Sequence, residues 1–155
     1  MKKSTKIRNI YISGDHAGFK LKEKLIPFLQ KKELIILNYG PFTYNKNDDY
    51  PDFVIPMARK VTQNKNYRGI VIAGSGIGET IASNKIKGIK AGNYHGGSPK
   101  IIKTARKHDN INILCFGSRY VTLKEAKKAI NIFLYTNFES GRHLRRLKKI
   151  EKIEK

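Results

Sequence analysis

Cysteine is almost missing from this 155-residue chain. Cys115 stands alone, which excludes an internal disulfide and any structural zinc site built on several thiolates. Long apolar runs are missing too: nothing approaches the roughly 18 consecutive apolar residues of a membrane-spanning helix. The stretch Met1-Lys2-Lys3-Ser4-Thr5-Lys6 carries charge, but no apolar run of signal-peptide length follows it. A soluble cytoplasmic domain that meets no membrane is therefore expected. Acidic residues are scarce, 12 against 32 Lys plus Arg, for a formal net charge of +20 and a pI near 10.1. What is present argues for a packed core. Hydrophobic residues make up 39% and aromatics 10%, too much for a disordered basic tail. A domain of this length buries roughly 68–70% of its unfolded surface, enough to fold without disulfide or metal.

A basic domain invites a nucleic-acid reading, but the make-up of the charge weakens it. Lysines outnumber arginines 24 to 8, alongside 21 isoleucines and 12 asparagines. Lys, Ile and Asn are what AT-rich codons supply, so biased composition accounts for the balance. The lysines are spread along the chain, densest from Arg142 to Lys155, where no stacking aromatics are interleaved. A positive field still helps gather a phosphorylated substrate.

Strand and helix patterns alternate. Ile7 to Ile12 reads as a strand, Ala17 to about Lys32 as a helix that Pro27 should kink, and Leu34 to Leu37 as a strand buried on both faces. After a polar loop through Asn45 to Pro51 come a helix near Phe53–Thr62 and a strand, Gly69–Ala73. That strand runs into Gly74-Ser75-Gly76-Ile77-Gly78-Glu79, where a helix starts. Strands over Ile89–Asn93 and Ile111–Phe116, and helices over Pro99–Lys107, Leu123–Tyr135 and about Arg142–Lys152, complete the chain. Such alternation implies parallel βαβ units in a layered α/β sheet. With no repeat, linker or boundary, residues 1–155 read as a single domain. Ligands of such sheets bind at the carboxyl ends of the strands, where Asp15, His16 and the Gly74–Glu79 loop fall.

Four constellations could carry chemistry. Gly74 to Glu79 brings backbone amides and a helix N-terminus together, suited to an anion or a developing oxyanion; equally, it is a Gly-rich turn with Glu79 supporting the helix start. Its spacing fails the dinucleotide fingerprint and it lacks a phosphate-loop lysine. Asp15 and His16 could hold sugar hydroxyl and phosphate, or Asp15 could cap a helix. His108, followed by Asp109 and Asn110, could exchange a proton with a sugar ring oxygen, or lie idle on the surface. Arg142 and Arg146, four apart on one helix face, suit a phosphate or simply a solvated face. Cys115 reads as a packed core thiol.

In order along the chain, Asp15-His16-Ala17-Gly18, Asp49-Tyr50-Pro51-Asp52, Gly74 to Glu79, Ala82-Ser83-Asn84-Lys85, His108, Phe116-Gly117-Ser118-Arg119 and Gly141-Arg142-His143 resemble the B-type ribose-5-phosphate isomerase family. That family also holds galactose-6-phosphate and allose-6-phosphate isomerases. The resemblance covers nearly the whole chain. It implies a Rossmann-like three-layer αβα sandwich with a five-stranded parallel sheet, and a homodimer, sometimes paired into a tetramer, with shared active sites and the 142–152 helix at the interface. It also implies a reaction that needs no metal and no cofactor: aldose and ketose phosphates interconverted through a cis-enediolate, as in the pentose phosphate pathway.

The resemblance assigns roles to positions. Asp15 and His16 would line the sugar and phosphate site, with Asp109 and Asn110 beside it. The partner subunit's His108 would assist ring opening. Arg119, Arg142 and Arg146 would hold the phosphate, and the amides of Gly74, Gly76, Ile77 and Gly78 would stabilise the enediolate oxygen. One branch of the family uses a cysteine where this chain has Ala73; the other uses a glutamate closing the loop, so Glu79 is the expected base, with Ser75 near the reacting oxygens. Asp109 departs from the family's usual Asn, exchanging a potential donor for an acceptor. Ribose 5-phosphate is the expected substrate. The alternatives are a six-carbon sugar phosphate, with segments 39–50 and 94–99 setting pocket length, or a catalytically weak sugar-phosphate binder. Remoter still is a basic nucleic-acid module, which steep salt dependence would reveal.

Overall fold

The computed structural model describes residues 6–154; Met1 to Thr5, the start of the stretch read for a signal peptide, and Lys155 lie outside the described residues. Five strands form one parallel sheet: β1 (Asn9–Gly14), β2 (Ile35–Asn38), β3 (Arg68–Ala73), β4 (Ala91–Tyr94) and β5 (Ile113–Gly117), in the order β2-β1-β3-β5-β4. Six helices connect and flank them: α1 (Phe19–Gln30), α2 (Pro51–Val61), α3 (Ile77–Asn84), α4 (Lys100–Asp109), α5 (Leu123–Tyr135) and α6 (Arg142–Glu151). Among the described residues no helix is long and apolar enough to cross a membrane.

The period of two along each strand explains the two helical layers. Ile10, Ile12, Ile70, Ile72, Leu114 and Phe116 pack with Leu25 and Leu29 of α1, Ile102 of α4, and Ala126, Ile130 and Phe133 of α5. The intervening Tyr11, Val71, Ile113 and Cys115 face Val54, Met57, Ala58 and Val61 of α2. Every residue of the central β3 is buried. The resulting three-layer α/β sandwich is the expected architecture.

One local expectation fails. Leu34 to Leu37 reads as a strand buried on both faces, but β2 lies at the sheet edge and its Ile35 is 60% exposed. An apolar run reports side-chain preference, not position in the sheet. The α1 helix continues through Pro27 to Gln30, close to its expected end.

The strand order reverses between β1 and β3: the chain leaves β1 for β2 on one side and returns to β3 on the other. A crevice at the carboxyl ends of β1 and β3 follows from that reversal. The β1–α1 turn lies tight against β3. Cβ atoms on Gly14 or Gly18 would collide with the Ile72 carbonyl, so only glycine lets the turn approach so closely.

Candidate active site

Three loops meet at the carboxyl edge. The loop after β3 turns at Gly76, whose φ of 79° is left-handed, and enters α3 at once. Ser75 Oγ accepts the Ile77 N–H at 3.2 Å, and Thr80 Oγ1 donates to the Gly76 carbonyl at 2.7 Å. Asn93, at the end of β4, donates from Nδ2 to the Ser75 carbonyl at 3.0 Å. The loop after β5 is tied in beside them: the Ser118 N–H donates to the Ala73 carbonyl at 2.6 Å, the Arg119 N–H to the Gly74 carbonyl at 3.2 Å, and Ser118 Oγ to the Ala17 carbonyl at 2.9 Å. The Arg119 guanidinium lies over Gly74, where a Cβ would come within 2.9 Å of Nη1.

Glu79 is the third residue of α3 and only 4% exposed. Burial pushes its carboxyl above the usual glutamate range and the nearby Asp15 carboxylate adds to that, against a lowering hydrogen bond from its own backbone N–H. A carboxyl group poised towards neutrality in a cleft is what proton transfer at carbon requires. Asp15 is itself buried, and its Oδ1 accepts the Gly18 N–H at 3.1 Å, so it does cap the turn into α1. Cys115 lies beneath α3, close enough to feel Glu79, Thr80 and Ser83, yet burial pushes its thiol up to about 12. It stays protonated in the core.

His16 is held from the 39–50 loop, where Asp48 itself was not singled out from the sequence. Asp48 Oδ1 accepts from both the His16 backbone N–H, at 3.1 Å, and Nδ1, at 2.6 Å. That pairing raises the imidazole pKa, with Asp15 adding and burial and Arg119 opposing. Tyr44 stands edge-on to His16, ring centroids 6.4 Å apart. Together His16, Ala17, Lys20, Tyr44 and Arg119 line a pocket of about 600 Å³, cationic at its mouth. Asp48, Tyr44, Lys20 and Asn93 are the residues missed; the only signal was that segment 39–50 could set pocket length.

The remaining candidates are elsewhere. α4 runs back from the carboxyl edge, so His108 in its last turn sits at the amino end of β5. That strand is five residues, roughly 17 Å, from the other edge. There the His108 and His143 rings stack, centroids 4.1 Å apart and 7° from parallel. Glu139 Oε2 lies 3.9 Å from each Nε2, and Glu139 Oε1 pairs with Lys107 Nζ at 2.7 Å. Burial, then His108, Arg142 and Arg146, lower the His143 pKa, with Glu139 opposing. Arg142 and Arg146 project exposed from α6 beside this pair. Asp109 is exposed, whereas Asn110 takes the left-handed C-cap position of α4 (φ 48°) and its Oδ1 accepts from Arg106 at 3.0 Å. One chain thus brings Asp15, His16, Ser75, Glu79 and Arg119 together and leaves His108, Arg142 and Arg146 apart from them.

The ligand atoms of His108, Glu139 and His143 all lie within 4.8 Å of one another, which is metal-binding spacing. The rings, however, run side by side. Their in-plane lone pairs point along parallel planes and do not converge on one ion at the ~2.0–2.2 Å that such ligands need.

Residues 10–150 match the family described as Ribose/Galactose Isomerase. The chain is 44% identical over 148 residues, 95% of its own length and 96% of the relative's, to a probable ribose-5-phosphate isomerase B of Mycoplasma genitalium. It is 33% identical to the ribose-5-phosphate isomerase B of Escherichia coli strain K12, covering 96% and 97% of the two chains. Among solved structures, that of ribose-5-phosphate isomerase B from Mycoplasma genitalium with bound ribulose 5-phosphate superposes with a TM-score of 0.91 at 43% identity, covering 96% and 97%. That of ribose-5-phosphate isomerase B from Clostridium thermocellum gives 0.88 at 37% identity, covering 94% and 97%.

Proposed function

The chain belongs to the ribose/galactose isomerase family, and from that premise we propose that it interconverts ribose 5-phosphate and ribulose 5-phosphate. The observation that carries this reading is Glu79, a buried carboxyl at the start of α3 whose pKa is raised by burial and by the nearby Asp15.

The chemistry follows from the residues. The sugar phosphate enters with its phosphate on Arg119, drawn by the positive pocket mouth. His16, kept cationic to higher pH by Asp48, adds a donor there. Glu79 takes the proton from the carbon next to the carbonyl and returns it to the neighbouring carbon through a cis-enediolate. The N–H groups from Gly74 to Gly78 receive the negative oxygen as it develops, and Ser75 Oγ lies alongside. Burial suits Glu79 to the cycle, because a carboxyl moved up towards the working pH is a stronger base for the first proton transfer and still an acid able to return the proton in the second.

Ring opening needs a second acid or base, and this chain's own histidine candidate is at the far end of β5. The reading is therefore a homodimer in which the partner's His108 faces this chain's Glu79, and the partner's Arg142 and Arg146 complete the phosphate grip. The single domain then needs two copies to build one site, with α6 at the junction. Two apolar side chains on α3 support it: Ile77 and Ile81, one turn apart and each 57% exposed, flank the buried Glu79. Glu139 serves as a positioning residue that aligns the His108–His143 stack.

The test is conversion of ribose 5-phosphate by the purified chain, with Glu79→Gln and a metal chelator as controls. Chelator-resistant turnover that the substitution removes supports reaction and base together. Full turnover by Glu79→Gln would sink the base assignment, and no turnover on ribose 5-phosphate, with turnover on a six-carbon sugar phosphate, would move the substrate.

A further inference from the structure

We propose that the polar cavity at the amino ends of β3, β4 and β5 is a second anion site, taking a tetrahedral oxyanion of the phosphate class on Arg68. The cavity, about 210 Å³, is walled in part by Asn64, Lys65, Arg68, Lys90, Asn110 and Asn112. That is several times the ~30 Å³ share of one water molecule. Arg68 opens β3, and the strand's six residues, roughly 20 Å, separate it from the loop that carries Glu79.

Arg68 is only 5% exposed and makes no ion pair among the described residues. Of its five N–H donors, two are accounted for: Nη1 donates to the Lys65 and Tyr67 carbonyls at 2.9 and 2.8 Å. Nε is buried with no partner, and Nη2 makes no hydrogen bond to a described residue. A second buried guanidinium, Arg106, also lacks a carboxylate and donates to Asn110 Oδ1, to the Ile111 carbonyl and to the Thr136 carbonyl. Burial brings Arg68 down to about 10, and burial together with Arg68 brings Arg106 down to about 9. Two desolvated cations without a counter-charge are costly, and an anion is the simplest relief.

The walls agree. The side-chain carbonyls of Asn64, Asn110 and Asn112 are each taken by a protein donor: Asn66 N–H, Arg106 Nη1 and Lys90 N–H. These three amide acceptors are thus spent inside the protein, and the cavity keeps the free Arg68 donors and the Lys65 and Lys90 cations beside the Thr62 and Tyr67 side chains. Donors arriving from several elements suit a tetrahedral ion with four acceptor oxygens better than a planar carboxylate. One acid borders the site: Glu154 accepts the Gly88 N–H at 3.1 Å on the wall, against the cations of Lys65, Arg68 and Lys90.

Crystals grown without sulfate or phosphate and soaked in selenate test this by anomalous scattering. The expected result is a selenium peak within hydrogen-bond reach of Arg68 that is missing in Arg68→Met. A peak that persists in Arg68→Met is an adventitious ion only and overturns the site, as does an empty cavity in the wild-type soak; that soak decides the matter even where the variant does not fold. In solution, inorganic phosphate should raise the Tm of the triple variant Arg119→Ala, Arg142→Ala, Arg146→Ala saturably, and Arg68→Met in that background should abolish the rise. An unchanged rise would overturn the assignment.

Discussion

The two edges of the sheet hold two histidines in opposite ways. At the carboxyl edge His16 is clamped by one carboxylate, with Asp48 Oδ1 taking both its ring and its backbone N–H, and it faces a pocket of its own chain. At the amino edge His108 stacks on a second imidazole and shares Glu139 with it, on the opposite side of the sheet from Glu79. The first arrangement fixes a charge for binding. The second sets two parallel imidazoles beside one carboxylate at an edge where this chain's own pocket does not reach. On the proposed dimer, the difference between the edges means that one chain carries two halves of a site, back to back.

The sharpest way to break that comparison is to mix defects. Glu79→Gln and His108→Ala should each lower kcat by about 10²–10⁴-fold. Mixed and re-paired at random, they should regain about a quarter of wild-type sites, because in a two-fold dimer half of the pairs are mixed and each holds one intact site. Recovery near zero in a subunit-exchange assay would mean that each chain builds its site alone.

Next in size is Arg119→Ala, which removes a charge-assisted contact and should raise KM for the sugar phosphate by about tenfold or more, with kcat little changed. Steady-state kinetics would show a kcat effect instead if Arg119 served the chemistry.

A third effect lies in stability. Because the Glu79 pKa is raised in the fold, its contribution to stability is present below the ordinary glutamate value and lost as pH rises through the folded one. Glu79→Gln should therefore raise Tm at neutral pH, with the gain shrinking towards pH 4. Smaller again, Asp48→Asn should bring the His16 titration down in an NMR experiment, since the Asp48 bond is the main cause of its elevation. The His108 signal should not move.

Much of this was legible in the sequence, and the failures share a cause. The alternation of apolar runs with amphipathic stretches marks five strands and six helices, and helix α5 falls on its expected bounds. Glu79 was singled out as the base only through the family resemblance, because a Gly-rich turn followed by an acid reads equally well as an ordinary helix start. The edge position of β2 was not, because order within a sheet is set by crossovers and leaves no mark on the strand itself. Asp48 was hidden for a related reason. It lies 32 residues from His16, in a loop whose polar composition looks like any solvated turn. The separation of His108 from Glu79 follows only from the direction in which α4 runs across the sheet.

The two exposed isoleucines of α3 have a consequence in the language of mass action. Ile77 and Ile81 bracket Glu79 on one short helix, so in the proposed dimer the face that associates and the residue that reacts belong to the same turns of chain. Catalytic power then becomes a property of protein concentration: on dilution below the dissociation constant of the pair, activity per chain falls even though every chain stays folded.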